Sequence, residues 1–149
     1  MKAGFIGSPP MNLLPGRVQR QRDALRFIEQ GGAGALTIPL RGRLEKLAHS
    51  RVDQEVVFGV RPEHLSVAAT DASPAPATFT IEFAEQMGAE SVLHLKGGGH
   101  GLIARVYGER LYKPGEQFTT HIDLEKAHLF DSETGNRLVE DSETVATRS

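Results

Sequence analysis

Short apolar runs separated by Gly, Pro and polar clusters recur every eight to twelve residues along the chain, the rhythm of strands and turns rather than helices. Residues 11–18 predict a first strand, interrupted at Pro15-Gly16. Residues 24–29 and 35–39 predict two more, flanking Gly31-Gly32-Ala33-Gly34, where glycine supplies the positive φ of a hairpin turn. Residues 44–49 suit a helical turn or a loop. Residues 55–60 form a near-continuous apolar strand that is expected to be buried, and Pro62 ends it because it has no N–H for the ladder.

Residues 70–77 (Thr-Asp-Ala-Ser-Pro-Ala-Pro-Ala) read as a loop. After it Phe79, Ile81 and Phe83 alternate with Thr80, Glu82 and Ala84, a period-2 strand with one apolar face and one wet face. Met87-Gly88-Ala89-Glu90 breaks it. Residues 91–96 and 102–107 predict a hairpin across the glycines between positions 97 and 101, and Lys113-Pro114-Gly115-Glu116 predicts a turn with proline early. A strand over 117–124, a turn at Glu125-Lys126 and the run 127–131 follow, and 141–149 is a polar, frayed tail. Eight or so short strands with few helices indicate an all-β fold of OB-like barrel type.

Composition narrows the chemistry. The 149 residues contain no cysteine, which removes disulfides, thiolate catalysis and Cys-based zinc sites. No apolar run approaches the ~20 residues of a membrane-spanning helix, and Phe5-Ile6 is far too short for a signal-peptide core. Residues 1–51 hold nine Lys/Arg against three Asp/Glu, a local +6, and the remainder holds eight against sixteen, a local −8. No aromatics are interleaved with Arg17, Arg20, Arg22, Arg26, Arg41 and Arg43 for base stacking, so the asymmetry reads as a dipolar surface and not a nucleic-acid site.

Catalytic motifs are missing from the sequence. It contains no Gly-x-x-x-x-Gly-Lys-[Ser/Thr] phosphate loop, and its glycine-rich stretches lie between strands instead of opening helices. His94 and His100 bracket the second glycine turn and would suit zinc if they faced each other, but no third ligand stands at a recognisable spacing. Gly4-Phe5-Ile6-Gly7-Ser8-Pro9-Pro10-Met11-Asn12 reads as the end of a preceding element followed by a rigid turn into a strand.

That opening stretch resembles the junction that follows the nucleotide-binding domain in the ATP-binding subunits of carbohydrate-type ABC importers, the maltose and sn-glycerol-3-phosphate transporter group. Three further segments are similar to that group's motifs, in the same order. They are Phe58-Gly59-Val60-Arg61-Pro62-Glu63-His64, then Glu85-Gln86-Met87-Gly88-Ala89-Glu90, then Ala127-His128-Leu129-Phe130-Asp131 with Glu133-Thr134-Gly135. The resemblance implies the C-terminal regulatory domain of such a subunit, built of OB-like, TOBE-type β-barrel subdomains.

By that resemblance residues 1–12 are the junction, carrying Gly7, Ser8, Pro9, Pro10 and Asn12. Residues 13–69 form a first OB-like region, 70–77 a loop, 78–140 a TOBE-type region completing the barrel, and 141–149 a flexible tail. Arg61, Pro62 and Glu63 would form a structured turn near the inter-subunit region. Met87, Gly88 and Glu90 would shape a second turn, and Leu129 with Phe130 would close the barrel. Together Arg61, Pro62, Glu63, Met87, Gly88, Glu90 and Phe130 are the expected dimer or regulatory surface. No cofactor is expected in this chain; ATP and magnesium would belong to the full-length subunit. The expected partners are a second copy, the transmembrane permease subunits and, in some members, a cytoplasmic regulatory protein. The location would be cytoplasmic and peripheral to the inner membrane. The competing reading is a stand-alone oxyanion-binding barrel of the molybdate-binding type.

Overall fold

The computed structural model describes residues 10–139 apart from 32–34, 68–75 and 98. Among the described residues ten strands form two five-stranded antiparallel sheets around one core. In chain order the elements are β1 (Asn12–Gln21), β2 (Ala24–Glu29), β3 (Thr37–Leu40), α1 (Arg43–Ala48), β4 (Glu55–Val60), β5 (Leu65–Ser66), β6 (Ala77–Met87), β7 (Glu90–Lys96), β8 (Gly101–Tyr107), β9 (Gln117–Ile122) and β10 (His128–Asp131). The first sheet runs β10-β4-β1-β2-β3 and the second β5-β9-β6-β7-β8. Leu14, Val18, Phe27, Phe58 and Leu129 of the first meet Phe79, Ile81, Leu93 and Leu95 of the second in a common buried cluster. The last strand returns to the first sheet, where it pairs with β4.

β1 is continuous, contrary to the interruption expected at Pro15-Gly16. The β1–β2 register begins at Gly16↔Glu29, and the Gln30 N–H donates to the Pro15 carbonyl just beyond it. The donor that proline lacks therefore faces the spent end of β2, where a ladder loses least. Gly16 is required for a second reason: a Cβ there would overlap the Ile28 carbonyl oxygen and stand 2.5 Å from Phe27 Cζ. β4 is buried between β1 and β10, in keeping with its unbroken apolar run.

β3 closes the other edge of the first sheet. The Glu29 N–H donates to Leu36 O, so by alternation Pro39 aims its missing N–H at the free edge and blunts it against further pairing. α1 is one and a half turns long, with Leu44, Leu47 and Ala48 buried, and it runs into a 3-10 turn, His49–Arg51. Most of the Gly31–Gly34 hairpin turn, most of the 70–77 loop and the 141–149 tail lie outside the described residues.

In β6 the expected period-2 pattern fails at Phe83. Ile81 pairs with Leu95 and Phe83 with His94, leaving Glu82 as an inserted residue. The bulge turns Phe83 out of the core, where it is 46% exposed and its ring stacks on His94 at 3.9 Å. The hairpin turn at Gly88-Ala89 is tight, with Gly88 at φ 71°, and the Lys113–Glu116 turn closes through Glu116 N–H to Lys113 O with Gly115 at φ 90°.

Candidate functional site

The outer face of β1, β4 and β10 is built by two aligned rows. Leu13, Gly59 and His128 stand side by side, as do Pro15, Val57 and Phe130. Every one of these alternates with a buried neighbour, so all point away from the core. Gly59 leaves a gap that its neighbours fill: a Cβ there would stand 2.6 Å from Phe130 Cε2, 2.7 Å from Met11 Sδ and 3.3 Å from Leu13 Cδ2. The outcome is an apolar patch with Leu13 56% exposed and no carboxylate in either row. Phe130 thus belongs to the outside of the sheet, while Leu129 alone closes the core. The pairing inferred for the two splits because adjacent residues of a strand face opposite ways.

Arg61, Pro62 and Glu63 sit where β4 ends. Pro62 is buried at the start of a 3-10 turn, and Arg61 and Glu63 are exposed on either side. Glu63 faces β8, where its charge helps to raise the pKa of Arg105, after the larger effect of the hydrogen bond that Arg105 donates to Glu90. Arg61 acts in the other direction, on His128. That ring titrates below the usual imidazole range, chiefly through burial and then through Arg137, Arg43, Arg61 and His64.

Asn12 makes a clamp that sequence reasoning did not assign. Its side chain is buried; Oδ1 accepts the Ile103 N–H at 2.8 Å and Nδ2 donates to the Ile103 carbonyl at 2.9 Å. One amide thereby acts as a strand residue for the free edge of β8, joining the two sheets. Of the other junction residues, Pro10 is exposed, and Gly7, Ser8 and Pro9 lie outside the described residues.

Met87, Gly88 and Glu90 are gathered at the β6–β7 hairpin end, on the second sheet. Met87 is 55% exposed; Glu90 holds Arg105 at 2.7 Å, with Tyr107 beside it in the sheet. Of the seven expected surface residues, Arg61 and Phe130 therefore lie with the first sheet and Met87, Gly88 and Glu90 at the β6–β7 end of the second, while the Pro62–Glu63 turn faces β8, Glu63 acting on Arg105. His94 and His100 are not a pair. His94 Nε2 lies 3.6 Å from Glu85, and His100 Nδ1 lies 2.7 Å from the buried Glu29, which also accepts the Leu36 N–H. Among the described residues no three His, Asp or Glu side chains group as metal ligands. Glu29 was legible only as a lone acid ending an apolar strand.

This architecture, two small antiparallel sheets sharing a core with the final strand returned to the first, is that of OB and TOBE domains. Residues 7–65 match the MalK OB fold domain family and residues 58–130 the TOBE domain family, so the two abut across β4 and the Pro62 turn. The chain belongs to the MalK OB fold and TOBE domain families, and its relatives are ABC transporter ATP-binding proteins. It is 35% identical over 132 residues to the uncharacterised ABC transporter ATP-binding protein YcjV of Escherichia coli O6:H1, covering 89% of this chain and 34% of that protein. It is 32% identical over 136 residues to the sn-glycerol-3-phosphate import ATP-binding protein UgpC of Escherichia coli O1:K1, covering 91% and 35%. The chain spans about a third of the length of the curated relatives it matches. Among solved structures it is similar to the cytoplasmic molybdate-binding protein ModG, with a TM-score of 0.57 at 18% identity over 79% of this chain and 94% of that one, a likeness of fold.

Proposed function

We propose that these domains are the non-catalytic regulatory and dimerisation part of the ATP-binding subunit of an ABC importer for sugars or sn-glycerol-3-phosphate. ATP and magnesium would be held by the subunit's nucleotide-binding domain, since the sequence here contains no phosphate loop. The permease subunits would place the complex at the inner membrane, on its cytoplasmic side; no helix among the described residues is long and apolar enough to cross a membrane.

The observation that carries the reading is the Leu13–Gly59–Phe130 face. An exposed apolar sheet face without central charge is what two copies of a chain can bury against each other. The two-fold contact would be isologous, so each side chain counts twice. Phe130 would lie within it and Arg61 at its margin. Met87, Gly88 and Glu90 would form a second surface, free for a regulatory partner. Nucleotide-driven motion of the attached domains would then be a hinge about this fixed base.

Sedimentation velocity of the chain tests the reading. The wild type should move as a species of twice 16.2 kDa that dissociates on dilution. Leu13→Asp removes about 2–3 kcal/mol of apolar burial per copy and about 4–6 kcal/mol per dimer, so it should sediment as a monomer. A monomeric wild type at high concentration would refute the proposal.

A further inference from the structure

Past Pro15 and Val57 the outer face of the first sheet continues with one charged row. Arg17 on β1 and Glu55 on β4 stand directly opposite each other in the strand register. Each alternates with a buried neighbour, Val18 and Val56, so both point outward, and both are exposed. Neither makes an ion pair or a side-chain hydrogen bond among the described residues, whereas Arg51, Arg105 and Arg110 are all paired with acids. Arg17 comes from the basic stretch 1–51 and Glu55 from the acidic remainder. β1 and β4 thus carry three rows in step: Leu13 beside Gly59, Pro15 beside Val57 and Arg17 beside Glu55.

Two-fold symmetry limits how these rows can meet a second copy. Sheets packed face to face keep their strands within about 30° of each other, so the axis runs either across the strands or along them. An axis across the strands lays β1 on β1 of the other copy. With the apolar patch in contact, Arg17 then meets its own counterpart, Pro15, Leu13 or Met11, which is a like charge or an apolar side chain in every case. An axis along the strands keeps the rows in step. Centred on β1 it sets Arg17 against Arg17, and centred on β4 it sets Glu55 against Glu55. Centred between the two strands, it sets Arg17 of each copy against Glu55 of the other. The same placement puts the exposed Leu13 over Gly59, which has no side chain of its own, and Pro15 over Val57.

From this register we propose that the second copy docks with its two-fold axis along the strands between β1 and β4, so that Arg17 of each copy pairs with Glu55 of the other, a pairing that rests on the dimer reading above. Sheets packed about 10 Å apart bring an Arg and a Glu side chain within reach of each other. The four charges alternate, each with an unlike neighbour in its own sheet and another across the contact. The apolar rows supply the affinity, and the charged row fixes the register and rejects the placements that oppose like charges.

Native mass spectrometry of charge-reversed full chains tests the pairing. Arg17→Glu alone, or Glu55→Arg alone, opposes like charges at both contacts of its homodimer and should self-associate about tenfold more weakly than the wild type. In a heterodimer of the two variants, the reversed positions meet at one contact and the native charges at the other, so both contacts attract. An equal mixture should therefore form the heterodimer in clear excess over either homodimer. The two neighbours within each chain stay alike on mixing, so the recovery reads the contact between copies alone. Arg17→Glu/Glu55→Arg in one chain gives a second reading that needs neither single variant to fold. It should dimerise like the wild type yet exclude wild-type chains from its dimers. Single variants that dimerise as the wild type does, an equal mixture with no excess of heterodimer, or free exchange of the double variant with wild-type chains would each overturn the pairing and leave the dimer reading standing. A wild type that is monomeric at high concentration would remove both.

Discussion

Replacing Asn12 with alanine should cost far more than a surface amide would, because its side chain is the strand partner of Ile103. Two hydrogen bonds, at 2.8 and 2.9 Å, disappear together. Each is worth about 1 kcal/mol net, and the Ile103 N–H and carbonyl left without partners add a desolvation penalty of about 1–3 kcal/mol apiece where water cannot reach them. Partial hydration of the edge of β8 offsets some of that, so the expected loss is about 2–4 kcal/mol. Against a total stability of about 5–15 kcal/mol this is a large fraction. Urea unfolding monitored by far-UV circular dichroism measures it. With a slope of about 2 kcal/mol/M the midpoint should fall by roughly 1–2 M. Asn12→Asp serves as the companion, since it keeps an acceptor for the Ile103 N–H but sets a carboxylate oxygen against the Ile103 carbonyl. It should be no more stable than the alanine variant at neutral pH. A loss below about 0.5 kcal/mol for Asn12→Ala, the range of ordinary surface substitutions, would refute the clamp.

Three other outcomes follow from the packing and charge. Gly16→Ala drives a Cβ into the Ile28 carbonyl and the Phe27 ring, and should lower stability by about 1–3 kcal/mol or more, measured by the same urea titration. The Asp131 carboxyl is held well below the usual carboxylate range by Arg51 at 2.7 Å and then by the N–H groups of Thr134 and Glu133. Its folded pKa is lower than its unfolded one, so this stabilisation is present above about pH 4 and is lost as pH falls further; Asp131→Asn should flatten the acid limb of a stability–pH curve. His128 also titrates lower when folded, because burial and its cationic neighbours disfavour the imidazolium. The unfolded chain therefore binds the proton more readily below about pH 6.5, stability declines there, and His128→Gln should remove that component of the decline between pH 7 and 5.

Much of the strand order could be read from the sequence, because period-2 patterning and glycine or proline punctuation are local signals. β2 and β4 have the bounds that their apolar runs suggest, and the β6–β7 and β7–β8 turns fall at the expected glycines. What failed was non-local. Pro15 looked like a break because nothing in the sequence says that β2 ends opposite it. Phe83 looked buried because a one-residue bulge at Glu82 leaves no mark in the pattern yet reverses every face after it. Asn12 and Ile103 are 91 residues apart, so their bond was invisible, although Asn12 had been singled out within a motif. The candidate surface was half legible. Its motif residues are real turns and exposed groups, but only the register Leu13↔Gly59↔His128 shows that two motifs far apart in sequence share one face.

The central claim is that the outer face of β1, β4 and β10 meets its own copy. Because the chain has no cysteine, single thiols introduced at Leu13 and at Met87 report on the two sheets without interference. The direct measurement is the alkylation rate of each thiol as a function of protein concentration. The account predicts that Leu13→Cys becomes protected as concentration rises through the dimerisation range, while Met87→Cys reacts at a constant rate. Protection at Met87 with none at Leu13 would contradict it and place the contact on the second sheet.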